Sequence, residues 1–80
     1  MKQPKVLLYS TTNCHFCKDL KKLLDENAIK YTVLDVGKDL KARAEMIEKG
    51  GSLGVPQITI GNEHIVGFQE DNIKTLLNIA

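Results

Sequence analysis

Cys14 and Cys17 are the only cysteines in the chain, and two residues, His15 and Phe16, separate them. The apolar run Val6-Leu7-Leu8-Tyr9 precedes them and reads as a short buried strand. The segment that follows them has helical spacing. The pair therefore stands where a strand ends and a helix begins. A thiol at that junction meets unpaired backbone N–H groups and the positive end of the helix dipole. Both favour the thiolate, which is the reactive form.

The chain has 80 residues and reads as a single domain, 1–80, near the lower limit for a self-sufficient core. A net charge of +1 gives no reason to expect nucleic acid or a membrane surface as partner. No apolar run approaches the ~20 residues that span a bilayer. The start, Met1-Lys2-Gln3-Pro4-Lys5, leads into only four strongly apolar residues, too few for a signal peptide. A cytoplasmic location is the expectation. In that reducing compartment a cysteine pair is catalytic or metal-binding rather than a structural staple. A bond between Cys14 and Cys17 would also close too small a loop to stabilise the fold much.

The polar turn Ser10-Thr11-Thr12-Asn13 offers Thr12 or Asn13 as helix cap. Phe16, Leu20, Leu23 and Leu24 then form an apolar helical face, ending at Asn27-Ala28. Tyr31–Val36 is β-rich and predicts a second strand. A helix joins the two strands, so a parallel βαβ unit is expected. Gly37 or Asp39 opens a second helix with Leu40, Ala44 and Ile47 on one face, and Gly50-Gly51 ends it. Gln57–Ile60 and His64–Val66 are short strands around the hairpin signal Gly61-Asn62. Gly67 closes the second of them. Ile73, Leu76, Leu77 and Ala80 form the apolar face of a last helix. The order β-α-β-α-β-β-α is that of an α/β chain, satisfied by a four-stranded mixed sheet with helices on both faces.

Two readings of the thiol pair compete. In the redox reading Cys14, at the exposed first turn, attacks a disulfide sulfur, and Cys17, nearly one turn on, resolves the mixed disulfide. Lys18, four residues after Cys14, either helps hold the thiolate or is a solvated surface lysine. In the metal reading the pair is half of a zinc site and needs two further ligands. His15 normally points away from the cysteines that flank it, and His64 stands alone in an alternating strand. A cluster shared between two chains needs only one or two thiols from each.

Gly54-Val55-Pro56 precedes the third strand. Pro56 is either a strand-start proline or the second residue of a cis Val55-Pro56 bond. The cis form would turn the Val55 backbone outward to pair with an extended substrate. Gly67 is either a strand stop or a place where a ligand approaches the backbone. Phe68 is either core or a substrate contact. A carboxylate attracted to this helix start would meet Glu70 and Asp71 already in the field.

Cys14-His15-Phe16-Cys17 after the first strand, Gly54-Val55-Pro56 before the third, and Val66-Gly67-Phe68-Gln69-Glu70-Asp71 after the fourth together resemble the glutaredoxins of the thioredoxin superfamily. The resemblance runs over nearly the whole chain. It implies the thioredoxin fold, strand order 2-1-3-4, disulfide reductase activity, and a cis Pro56 beside Cys14. Several residues depart from the family pattern. His15 stands where glutaredoxins commonly carry proline; it either tunes Cys14 or faces solvent. Thr11 stands where the family often places a lysine that contacts a glutathione carboxylate, and Gly54 where it has threonine. Each departure weakens a glutathione site. The Gly67-Phe68 start of the last helix, running into Asp71-Asn72-Ile73-Lys74, is similar to glutaredoxin-like redoxins that donate electrons to ribonucleotide reductase and are themselves reduced by thioredoxin reductase.

The expectation is thus a monomeric thiol–disulfide oxidoreductase. Cys14 is its nucleophile and Cys17 its resolving thiol. Val55, Pro56, Gly67 and Phe68 bind substrate, with His15 and Lys18 placed to tune the nucleophile. It holds no metal and no bound cofactor. Its substrates are protein or low-molecular-weight disulfides, ribonucleotide reductase among the candidate proteins, and glutathione or thioredoxin reductase supplies the electrons. The alternative is an iron–sulfur carrier, a dimer holding one [2Fe–2S] cluster through Cys14 of each chain.

Overall fold

A computed structural model describes residues 3–79. The elements run β1(Val6–Ser10), α1(His15–Glu26), β2(Thr32–Asp35), α2(Leu40–Gly50), β3(Gln57–Ile60), β4(Glu63–Val66) and α3(Glu70–Leu77). The sheet order is β2-β1-β3-β4, as expected. β1 and β2 are parallel, and β3 is antiparallel to both β1 and β4.

Side-chain alternation in the strands makes two cores. Val6 and Leu8 of β1, Ile58 and Ile60 of β3 and Ile65 of β4 bury against Leu20 and Leu24 of α1 and Ile73 and Leu77 of α3. The opposite face carries Tyr9, which packs with Val36 and with Ala42 and Met46 of α2. Gln57 and Thr59 of β3 are also buried, out of phase with the isoleucines.

This second face corrects one expectation. Leu40, Ala44 and Ile47 do not form the inner stripe of α2: Leu40 is 71% exposed and Ile47 39%, while Ala42 and Met46 are buried. The sheet beneath α2 is partly polar and tightly approached. A stripe of small residues with a long aliphatic stem, Ala42-Met46-Lys49-Gly50, fits it better than branched side chains. Asp39 caps this helix, its carboxylate accepting from the Ala42 N–H at 3.1 Å, an interaction worth about 1 kcal/mol. Gly51 ends it in the left-handed region, φ +67°. Leu76 of α3 is half-exposed, and Ala80 lies outside the described residues.

Candidate functional site

The register brings three segments to one end of the sheet. Ser10 ends β1, and Tyr9 pairs with Gln57 at the start of β3, which pairs in turn with Val66 at the end of β4. The loop holding Cys14, the segment Gly54-Val55-Pro56 and the turn at Gly67 therefore emerge together.

Cys14 itself is the N-cap of α1, not Thr12 or Asn13. Its Sγ accepts from the Cys17 N–H at 3.1 Å, and its carbonyl accepts from the Lys18 N–H at 3.3 Å. Sγ thus takes the place of a capping oxygen, and Cys14 and Cys17 are joined in a disulfide. The two sulfurs differ in access. Cys14 is half-buried, whereas Cys17 is 1% exposed. A small cavity of ≈ 210 Å³ adjoins the pair, lined by Thr11, Lys18, Lys21, Val33 and Asp35 among others.

Lys18 thus lines the same cavity as the disulfide. His15 turns the other way: its Nε2 is 3.5 Å from the Asp19 carboxylate, with 82% of the side chain exposed. Phe16 was expected on the inner face of α1 but is 58% exposed. At the helix start that position faces outward, so the first buried residue of the stripe is Cys17.

The Val55-Pro56 bond is cis. The Pro56 carbonyl accepts from the Gly67 N–H at 2.8 Å, tying the proline to the turn after β4. Gly67 has φ +87°, a conformation that favours glycine. Phe68 packs against the larger core. Neither the N–H nor the C=O of Val55 has a partner among the described residues.

A polar network behind this end was not anticipated. Lys49 Nζ donates to Tyr9 Oη at 3.2 Å and sits 5.7 Å from the ring centroid. The Tyr9 ring meets His64 edge-on at 6.0 Å. His64 in turn contacts Thr59 and Gln57. Burial, then the Lys49 charge, hold the His64 pKa below the usual histidine value. Unfolded chains then bind the proton that the native imidazole refuses, so stability rises with pH through this window. It falls as pH drops below about 6.5, the unperturbed histidine value. Unfolding midpoints at pH 7.5 and 5.5 are expected to separate more for the wild type than for His64→Gln. Parallel losses in the two proteins would show that another group titrates.

The sequence profile of the glutaredoxin family matches residues 6–65. The chain is 36% identical to an uncharacterised glutaredoxin-like 8.6 kDa protein in a rubredoxin operon of Clostridium pasteurianum, covering 90% of this chain and 96% of that one. It is 36% identical to a glutaredoxin of Pseudomonas aeruginosa, over 84% of this chain and 80% of that one. Among solved structures, the thioredoxin-like protein BC3987 superposes with a TM-score of 0.86 at 32% identity, covering 91% of this chain and 100% of that one. With its thioredoxin fold and Cys-x-x-Cys disulfide, the chain belongs to the glutaredoxin family. It is a thiol–disulfide oxidoreductase, and Cys14–Cys17 is its redox disulfide.

Proposed function

We propose that Cys14 is the attacking thiolate and that this protein, a cytoplasmic monomer with one domain, reduces protein disulfides. The capped position of Cys14 carries the reading: its Sγ already accepts a backbone N–H at the start of α1, the arrangement that stabilises a thiolate. The reduced Cys14 thiolate attacks one substrate sulfur. A Cys14–S–S–R bond forms, the substrate disulfide breaks, and the departing thiolate takes up a proton. Cys17 then loses its proton and attacks Cys14 Sγ. The Cys14–Cys17 disulfide closes and the second substrate thiolate leaves. Two electrons have passed to the substrate, and no bound cofactor is required. Val55 offers its N–H and C=O to the substrate's extended backbone, in the manner of an added strand. Pro56 and Gly67, joined by their hydrogen bond, shape that edge, and Phe68 supports its rim from the core. Lys18 adds positive charge beside the sulfurs, and His15 stays at the solvent surface.

Thr11 and Gly54 replace the family's glutathione-contacting lysine and threonine, which favours thioredoxin reductase over glutathione as the electron source. Ribonucleotide reductase is a candidate substrate. The relative named for a rubredoxin operon supports a place among electron-transfer proteins. NADPH consumption tests the donor, with one arm using thioredoxin reductase and the other glutathione with glutathione reductase. Turnover is expected in the first arm. Turnover confined to the second would make this a glutathione-dependent enzyme and overturn the assignment. Elution of a colourless monomer from an anaerobic preparation is expected; a brown dimer would instead establish the cluster carrier.

A further inference from the structure

Gln57 opens β3 with its side chain fully buried. Its Nε2 donates to the carbonyls of Ser52 at 3.0 Å and Gly54 at 2.8 Å. Both amide protons are then committed, so Oε1 can only accept. It accepts from His64 Nε2 at 2.6 Å, which places the imidazole proton on Nε2 and leaves Nδ1 as acceptor. The Thr59 hydroxyl donates to that Nδ1 at 2.9 Å. Each link fixes the next, and the whole chain ends on two carbonyls of one loop.

Packing alone does not explain a buried amide at this position. An apolar side chain of similar volume would fill the same space, but it would leave two loop carbonyls and the His64 Nε2–H without this partner, at about 1 kcal/mol for each bond. The clamped segment supplies the missing reason. It contains Gly54 and directly follows Gly51, and Gly51, Leu53 and Gly54 are exposed. The bond from the Gly54 N–H to Ser52 Oγ at 3.0 Å is internal to it, so among the described residues the Gln57 amide is what ties it to the sheet. The next residue is Val55, whose N–H and C=O have no partner among the described residues. Backbone pairing with a peptide is strongest when the edge is already ordered, since ordering it on binding opposes affinity.

We propose that Gln57, oriented by His64 and Thr59, is a positioning residue that clamps the Ser52–Gly54 loop so that Val55 meets a substrate's peptide backbone, and that it thereby sets the preference for protein disulfides over small ones. This rests on the reading of Val55 as the docking edge. The dithiol is not part of the clamp, so its intrinsic reactivity is left alone when the clamp is cut.

Single-turnover reduction by the pre-reduced protein tests this without reference to any electron donor. One substrate is insulin; the other is bis(2-hydroxyethyl) disulfide, which has no peptide backbone. In Gln57→Leu the rate constant for insulin is expected to fall about tenfold, the scale of one or two lost hydrogen bonds. The rate constant for the small disulfide stays within about twofold. His64→Leu, on the edge strand, leaves the clamp in place but frees Oε1. It serves as the milder variant should Gln57→Leu fold poorly, with a smaller loss confined to insulin. Equal losses on both substrates, or none on either, would overturn the clamp alone. Wild-type protein that reduces the small disulfide but not insulin would overturn the docking reading, and the clamp with it.

Discussion

Replacing Cys14 with serine is expected to abolish disulfide reduction, down to the rate of buffer alone. A serine hydroxyl at the start of α1 keeps the helix capped, because an oxygen accepts the Cys17 N–H as well as Sγ does at 3.1 Å. The fold therefore survives, and only the nucleophile is lost. Cys17→Ser is expected to behave differently. Cys17 is buried, out of reach of a bulky substrate, so its loss leaves the attack by Cys14 intact. The first step proceeds, the mixed disulfide accumulates, and nothing closes on Cys14 Sγ to release the substrate. Intact-mass measurement after mixing with a disulfide substrate should show a covalent adduct for Cys17→Ser and none for Cys14→Ser. The reverse pattern would reassign the nucleophile to Cys17.

Much of this site was legible in the sequence because its signals are local. Two cysteines three apart at a strand-to-helix junction need no tertiary information to be placed. Gly61-Asn62 fixed the hairpin register: a two-residue turn between Ile60 and Glu63 makes Thr59 and His64 direct partners. The polar network was within reach from there, since Gln57 and Thr59 alternate with Ile58 and Ile60 and so share a face. It stays hidden in the sequence because His64 is a lone strand histidine there, and nothing local ties it to Gln57. The phase of α2 was not legible. Leu40-Ala44-Ile47 and Ala42-Met46-Lys49-Gly50 are both good helical stripes, and the choice depends on what the sheet presents. That sheet face carries a tyrosine hydroxyl and a glutamine amide, so the stripe with glycine and lysine won. The capping residue was hidden for a similar reason. Thr12 and Asn13 have the better intrinsic preference, but the helix begins at His15, so Cys14 holds the capping position and its Sγ accepts the Cys17 N–H.

The closeness of α2 to the sheet sets up the second large effect, at Gly50. Alanine in a helix is about 1 kcal/mol better than glycine, so propensity alone makes Gly50→Ala stabilising. Space decides otherwise. A Cβ at position 50 would run into Gln57 Oε1, with Gln57 Cδ at 3.0 Å and Val66 Cγ2 at 2.9 Å. Val66 lies on the edge strand, is 38% exposed, and can turn its methyl away. Gln57 cannot move, because its amide is held by Ser52, Gly54 and His64. Either the helix lifts from the sheet or those bonds break. Overpacking of this kind costs about 1–3 kcal/mol, and each broken bond adds roughly 1. Net of propensity, Gly50→Ala is expected to destabilise by about 2 kcal/mol, a fall in Tm on the order of 10 °C for a chain this small. The same substitution in a Gln57→Ala background has the obstructing amide removed, so helix propensity should regain control and the penalty should largely vanish. A double-mutant cycle in chemical denaturation reads that coupling directly. If Gly50→Ala raised the stability of the wild-type background, Gln57 would not be pinned against the helix.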